Sequence, residues 1–579
     1  MPFLNGDFSV YYARALRAQE FFVRTGRLWG YDPYSMAGYV SGPVCEAGDL
    51  FINLIAHWFA RAIPIWASVL SLEIGVLLFA PFTVLWAIRL WTRDWDAGWC
   101  GFSATILTFG LFEPFSRHIL QFGCFGFEIA VFLGFPLVAL YREWVRNKRW
   151  LDWAQFTVLS CIIYQIHPMA LLVIFLPLLA IFFSSLRRLS LLQHAAFCAS
   201  ALLTILANWW WLRPSLAFSH WRVDVPYLLT LGWNFFLEDA FVLGPLKPLL
   251  IVVNGAALFF AFLTLFRRWR VSKGECLTLV VWLGALFVLG LFGDRFPGGR
   301  ALQMGRFVFP FWMFCYGLAS ISFLEKARSS GVLRGGAASV VLAVVLATLI
   351  RPSIWAGPFT NQFHPGESAF LEYAAKLRPL PGRILAECVD NWDDEKTVDL
   401  MDPAVPQSVI GGGHASIVLI TRTTLFSGQY FSGELTLNDP LLFQHRLKDL
   451  SDAELRSYFD LYNIVLVACR TIQSAILINR HHHLVRYQKQ VGRYYIFEVN
   501  RTPSWFIKGS GALSMDYDRL KISRASQGDL LLKFHWIPQL RSRPELSLYP
   551  VYEKDDPVPF VGIHNRAGDK KIEIYNAGL

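Results

Sequence analysis

HPMALLVIFLPLLAIFFSSLRR, residues 167–188, decides the fold class. No Asp, Glu, Lys or Arg stands between His167 and Arg187, and a run of about 20 mostly apolar residues is what an α-helix needs to cross a hydrocarbon core. Pro168 divides this run from the apolar stretch before it, because a proline disfavours helical geometry in the preceding residue. Arg187 and Arg188 close it, as basic residues close the cytoplasmic end of a span. Read outward in both directions, the same pattern recurs near 64–88, 97–112, 119–141, 151–165, 191–212, 247–267, 275–292, 305–325 and 334–351. With 167–186 this makes about ten expected spans.

Composition agrees with that reading. Of 579 residues, 54% are hydrophobic and 17% charged, against roughly 25% charged in ordinary soluble domains. The charge is unevenly spread: residues 51–350 hold 36 charged side chains, and the shorter stretch 351–579 holds 51. The expected organisation is a first outer loop with an amphipathic helix over 1–50, a polytopic transmembrane domain over 51–351, and a soluble domain over 352–579.

The net charge of +10 is placed by topology, not by nucleic acid. Alternate gaps between the spans hold 15 basic residues: Arg89 and Arg93; Arg142, Arg146, Lys148 and Arg149; Arg187 and Arg188; Arg267, Arg268, Arg270 and Lys273; Lys326, Arg328 and Arg334. The intervening gaps hold five, namely Arg117, Arg213, Arg222, Arg295 and Arg300. The first set is therefore expected in the cytoplasm. Residues 1–50, the loops 213–246 and 293–304, and everything after 351 are expected outside. No basic tract or stacking series suited to nucleic acid is present. Pro2–Asp7 reads as the exit from a span lying before Met1. Trp209, Trp210 and Trp211 close one span, as interfacial anchors do.

The soluble half mixes helix and strand signals. Ser451-Asp-Ala-Glu454 is a capping box, while 463–468 and 493–499 read as strands. After residue 500, short strands at 528–536, 557–564 and 571–575 predict a β-rich end. Gly411-Gly412-Gly413 lacks the lysine and hydroxyl residue of a phosphate loop. His481, His482 and His483 have no Cys/His partner set nearby and read as part of a solvated basic stretch. The nine cysteines show no CxxC spacing; Cys388 and Cys469 could pair only in an oxidising compartment. No nucleotide or redox cofactor is expected.

Chemistry is expected at the outer face. Glu73 and Glu128 are the acids well inside spans, and two such groups do not make an ion path. The outer loops carry Asp7, Asp32, Glu46 and Asp49, then Glu113, Arg117 and His118, then Asp294, Arg295, Arg300 and Arg306. Arginine offers bidentate hydrogen bonds to a lipid phosphate, and a carboxylate can take or orient the proton of an acceptor hydroxyl.

Gly6-Asp7-Phe, followed by Arg27-Leu-Trp29-Gly-Tyr-Asp32-Pro33-Tyr34-Ser-Met-Ala-Gly38-Tyr, resembles the first outer loop of bacterial GT-C-type membrane proteins. Those read Gly-Asp, a helical stretch, then a Leu-Pro-x-Trp-x-Pro-Tyr-x-x-Gly run. Pro297-Gly-Gly-Arg300 with Arg306-Phe resembles their last outer loop, and Leu461-Tyr-Asn-Ile-Val-Leu-Val467 a strand of their soluble domains. The group is often labelled 6-pyruvoyl-tetrahydropterin synthase-related, although nothing here matches the zinc site of that soluble enzyme. The sequence departs from the pattern in having no proline between Leu28 and Trp29.

The resemblance implies a polytopic all-α membrane domain followed by a soluble α/β to β-rich outer domain, in the bacterial plasma membrane. It implies a glycosyltransferase that moves a sugar from a polyprenyl-phosphate donor to a glycan, lipid or protein acceptor. Asp7 matches the family's catalytic acid. Arg300 and Arg306, with Arg117 and His118, would hold the donor phosphate; Asp32, Glu46 and Asp49 are secondary acids near the acceptor. Members of the group differ in their use of a divalent metal, so the resemblance leaves that open. A non-catalytic scaffold in envelope polysaccharide assembly and a flippase for lipid-linked saccharides are the other readings weighed.

Overall fold

The computed structural model describes residues 8–34, 37–41, 65–111, 125–218, 247–296, 307–329, 365–377, 380–387, 425–426, 437–438, 440–443, 445–553, 556 and 558–578. These fall in two compact units: 8–41, 65–69, 211–218 and 365–578 in one, 70–210 and 247–329 in the other. The chain begins with helix α1 (Phe8–Thr25) and the strands β1 (Gly30–Asp32) and β2 (Tyr39–Ser41), which pair antiparallel. Expected as a separate loop, this segment belongs to the same unit as the C-terminal residues.

Helices follow over every expected span from 64–88 to 305–325: α2 (Ile65–Thr92), α3 (Trp95–Leu111), α4 (Phe125–Asn147), α5 (Trp150–Ile166), α6 (Ala170–Ser185), α7 (Leu191–Ala207), α8 (Trp209–Ala217), α9 (Lys247–Val271), α10 (Lys273–Phe292) and α11 (Val308–Ser329). Residues 334–351 lie outside the described residues. Among those described, Ala170–Arg188 and Lys273–Phe292 are long and apolar enough to cross a membrane. A third crossing is made if α7 and α8, bent 67° at their junction, form one span.

The helical unit differs from a water-soluble bundle in its outer surface. Its outward side chains are large and apolar, with Phe79, Phe183, Leu192, Phe259 and Phe262 all more than 60% exposed. Its buried contacts include hydroxyl pairs: Thr157 Oγ1 lies 2.7 Å from Ser200 Oγ, Thr264 Oγ1 lies 2.6 Å from Ser322 Oγ, and Tyr316 donates to Asn254. Small polar residues between helices and apolar side chains around them suit lipid, where burying hydrocarbon does not drive helices together. The arginine topology also has a physical counterpart. Arg142 contacts Glu143 at 3.2 Å and also pairs with Glu275, while Arg93 lies 3.1 Å from Glu143. Three gaps assigned to the same side of the membrane therefore meet at one end of the unit. Glu128 is buried in the first turn of α4.

The C-terminal unit continues with α12 (Pro365–Lys376), β3 (Arg383–Ala386), β4 (Leu425–Phe426), a small three-stranded sheet of β5 (Leu437–Asn438), β6 (Leu441–Leu442) and β7 (His445–Arg446), then α13 (Asp452–Leu461), β8 (Ile464–Cys469), α14 (Ile472–Asn479), β9 (Val485–Val491) and β10 (Tyr494–Val499). Strands β4-β3-β8-β10-β9 form a mixed sheet, parallel on either side of β3 and antiparallel beyond β8. The capping box opens α13: Ser451 Oγ accepts from Glu454 N, and Glu454 Oε2 accepts from Ser451 N.

The β-rich end holds β11 (Phe506–Lys508), β12 (Ala512–Asp516), β13 (Arg519–Ser523), β14 (Gly528–His535), β15 (Leu540–Arg543), β16 (Leu548–Val551), β17 (Phe560–Asn565) and β18 (Lys571–Asn576). They form two antiparallel sheets, β11-β14-β17-β16 and β12-β13-β18-β15. Leu520, Ile522, Leu530, Leu532, Val561, Ile563, Ile572 and Ile574 share one core. Their alternation with exposed residues on β13 is the period-two pattern of a half-buried strand.

Candidate functional site

Of the residues expected at the site, Asp7, Glu46, Asp49, Arg117, His118, Arg300 and Arg306 lie outside the described residues. The segment that follows Asp7 is described, and its residues bind inward. Asp32 was expected as an acid open to an acceptor. It is fully buried, 2.9 Å from Arg17 Nε of α1, and its Oδ1 accepts the Tyr34 N–H at 2.9 Å. A buried carboxylate needs such a cation, because the cost of desolvation otherwise outweighs the ionised state. Asp32 is thus a positioning residue that fixes the strand pair to α1.

The next fastening runs to the β-rich end. Tyr31 N donates to Asp518 Oδ1 at 2.7 Å, Asp518 N donates to the Tyr31 carbonyl at 2.8 Å, and the Tyr31 hydroxyl donates to the His535 carbonyl at 2.8 Å. Burial pushes the Tyr31 phenol well up, so it remains a donor across the physiological range. Burial also raises the Asp518 carboxyl, against the opposing pull of the Tyr31 N–H and the Asn576 amide. Arg27 donates to the Asn576 carbonyl at 3.2 Å and lies over Trp29, 5.2 Å from its ring centroid.

Gly38 closes the clamp. Its φ of +96° is a conformation that side chains rarely adopt, and a Cβ there would fall 1.9 Å from the Tyr31 hydroxyl. The Gly38 carbonyl accepts from His535 Nδ1 at 3.0 Å, while His535 Nε2 lies 2.9 Å from Asp556 Oδ2. The same Asp556 oxygen accepts the Tyr462 hydroxyl at 2.7 Å. Tyr462 and Asn463 belong to the strand motif named above. Asn463 adopts φ +53°, which Asn tolerates better than most residues, and its Oδ1 accepts from Ser504 N and Arg501 Nη1.

Sequence reasoning missed Arg17, Asp518, His535, Asp556 and Arg383 because their pairings follow no helix or strand period, with separations from 15 residues for Arg17–Asp32 to 504 for Tyr31–His535. His481, at the end of α14, lies 2.5 Å from Asp452 Oδ1, and His482 and His483 are exposed. Among the described residues no group of three or more His, Cys, Asp or Glu could hold a metal. Cys469 is a buried free thiol, and Cys388 lies outside the described residues.

Two buried cations behind the clamp set a pH dependence. Burial lowers the Lys533 ammonium to about 8, and burial lowers Arg383 to about 9. Both fall below their ordinary values, so above pH 8 the unfolded chain retains protons that the folded chain has released, and folding stability rises with pH. The unit should gain stability between pH 8 and 10, by at most about 1.4 kcal/mol per pH unit for one proton. Unfolding followed at pH 7.5, 8.5 and 9.5 should show the rise, and Lys533→Met should remove the share that Lys533 contributes.

No family model matches the chain, and no curated protein sequence matches it. Among solved structures it is similar to the Archaeoglobus fulgidus oligosaccharyltransferase crystallised with zinc and sulfate, at 13% identity, covering 85% of this chain and 69% of that one, with a TM-score of 0.48. It is also similar to ArnT from Cupriavidus metallidurans bound to undecaprenyl phosphate, at 10% identity, covering 86% of this chain and 94% of that one, TM-score 0.48.

Proposed function

We propose that this chain is a multi-pass membrane glycosyltransferase, with about ten spans and its C-terminal unit outside, that moves a sugar from a polyprenyl-phosphate donor to an acceptor at the outer face. The observation that carries the reading is the clamp. Asp7 immediately precedes α1, and α1 is fixed by the buried Arg17–Asp32 pair to a strand pair that is itself bonded to Asp518 and His535. A group acting on a bound hydroxyl must be held in place, and a fixed helix that begins at the next residue supports that role for Asp7. In this reading Asp7 accepts the acceptor's proton, the acceptor oxygen bonds to the anomeric carbon with inversion, and the carbon–oxygen bond to phosphate breaks. The leaving phosphate keeps the electron pair and is stabilised by Arg300 and Arg306, with Arg117 and His118 beside it. Glu46 and Asp49 would orient the acceptor.

The test compares envelope glycans in a deletion strain complemented with the wild-type gene, Asp7→Asn or Asp7→Ser, each including any coding sequence upstream of Met1. Asn and Ser are favoured before a helix as Asp is, so both variants are expected to remove the base and leave the fold. Each is expected to lower transfer about a hundredfold at equal membrane levels. Full restoration by both variants would turn the reading to a scaffold.

A further inference from the structure

Helix α14 is apolar on both sides. Leu477 and Ile478 enter the core, while Ile472 and Ile476 stand 64% and 55% exposed on the opposite face. Exposed isoleucines beside Gln473 and Asn479 make the outer face of this helix a mixed, partly apolar surface of the kind that marks a contact site. Its exposure is not that of a fraying end. The Glu387 carboxylate, fully buried at its start, accepts from Arg470 N, Thr471 N, Thr471 Oγ1 and Ser474 Oγ at 2.6 to 2.9 Å. Four hydrogen bonds to a carboxylate at a helix N-terminus hold that helix in place.

The exposed isoleucines line an open groove of about 580 Å³. Leu441, 37% exposed, adds a third aliphatic side chain, and Arg446, Lys448 and Arg480 add three cations. No carboxylate lines the groove, and among the described residues none of these cations is in an ion pair. The surface therefore asks for an occupant that is both apolar and anionic over a broad area. The same chain carries helices long and apolar enough to cross a membrane, so a bilayer surface is present at high effective concentration.

We propose that this groove docks the C-terminal unit on an anionic phospholipid bilayer. Ile472, Ile476 and Leu441 enter the interfacial zone, and Arg446, Lys448 and Arg480 meet lipid phosphates. The inference is independent of sugar transfer, and its failure would leave that reading untouched.

The test uses the full chain in nanodiscs, with a benzophenone amino acid in place of the exposed Ile476. Irradiation in discs of phosphatidylcholine with phosphatidylglycerol should give lipid adducts, and discs of phosphatidylcholine alone should give few. Replacing the three cations by glutamine should shift the docked-to-undocked ratio by roughly a hundredfold, since each basic residue near an anionic surface contributes about fivefold. Amide exchange through 472–480 in the unlabelled chain should slow in the anionic discs in parallel. Equal adducts in both discs, adducts only to a protein in native membranes, or an internal cross-link to the acidic stretch 390–402 would each overturn the proposal.

Discussion

Arg383→Ala is expected to destabilise the C-terminal unit by roughly 3–5 kcal/mol, a large part of the stability of a typical domain. Arg383 opens β3 and is fully buried. Its Nη1 donates to the Tyr462 carbonyl at 2.7 Å and its Nη2 to the Lys533 carbonyl at 2.8 Å, which ties the mixed sheet to β14. The guanidinium also lies 4.8 Å from the ring centroids of both Trp505 and Phe534. Alanine leaves a cavity between those rings and strands two buried carbonyls, each costing about 1–3 kcal/mol when unmet. Arg383→Met separates the two losses. It fills most of the volume and removes a cation that burial already disfavours but, like alanine, leaves both carbonyls without a donor, so the cost should fall only by the share of the cavity, to about 2–3 kcal/mol. Chemical unfolding at pH 7 measures both. Equal costs for Ala and Met would mean that the cavity and the stacked rings contribute nothing.

What could be read from the sequence is what depends on neighbours along the chain. Span 167–186 was legible because lipid selects a continuous apolar run, and α13 because Ser451 and Glu454 are three residues apart. Strands β8, β10, β14 and β18 followed from short apolar runs between turns. The path of 8–41 was not legible. Its charges read as surface groups of an outer loop, yet Arg17 and Asp32 neutralise each other in the interior and Tyr31 bonds to residues near 520 and 535. Such pairings follow from three-dimensional packing, and no periodicity encodes them. In the motif Arg27-Leu-Trp29-Gly-Tyr-Asp32, expected to offer an acid to an acceptor, Asp32 instead holds the frame.

Arg17→Met should therefore release α1 and the strand pair, costing roughly 3–5 kcal/mol, because it leaves the Asp32 carboxylate in the interior without its guanidinium. The exposed partners on the same helix are worth much less: Arg24 lies 3.0 Å from Glu20 and 2.5 Å from Asp516, with all three side chains partly in solvent. The loss is local, so it should appear as faster amide exchange across 8–41 while β8 and β14 stay protected. The double variant Arg17→Met/Asp32→Leu removes both charges and should recover most of the protection, short of the Tyr34 N–H bond that Leu cannot accept. Sugar transfer then discriminates between a frame and a bystander. If Asp7 works from the head of α1, transfer should fall with Arg17→Met, return with the double variant, and stay lost in Asp7→Asn combined with either. Transfer that ignores Arg17→Met, while exchange across 8–41 rises, would separate the clamp from the chemistry and remove the main support for Asp7 as the base.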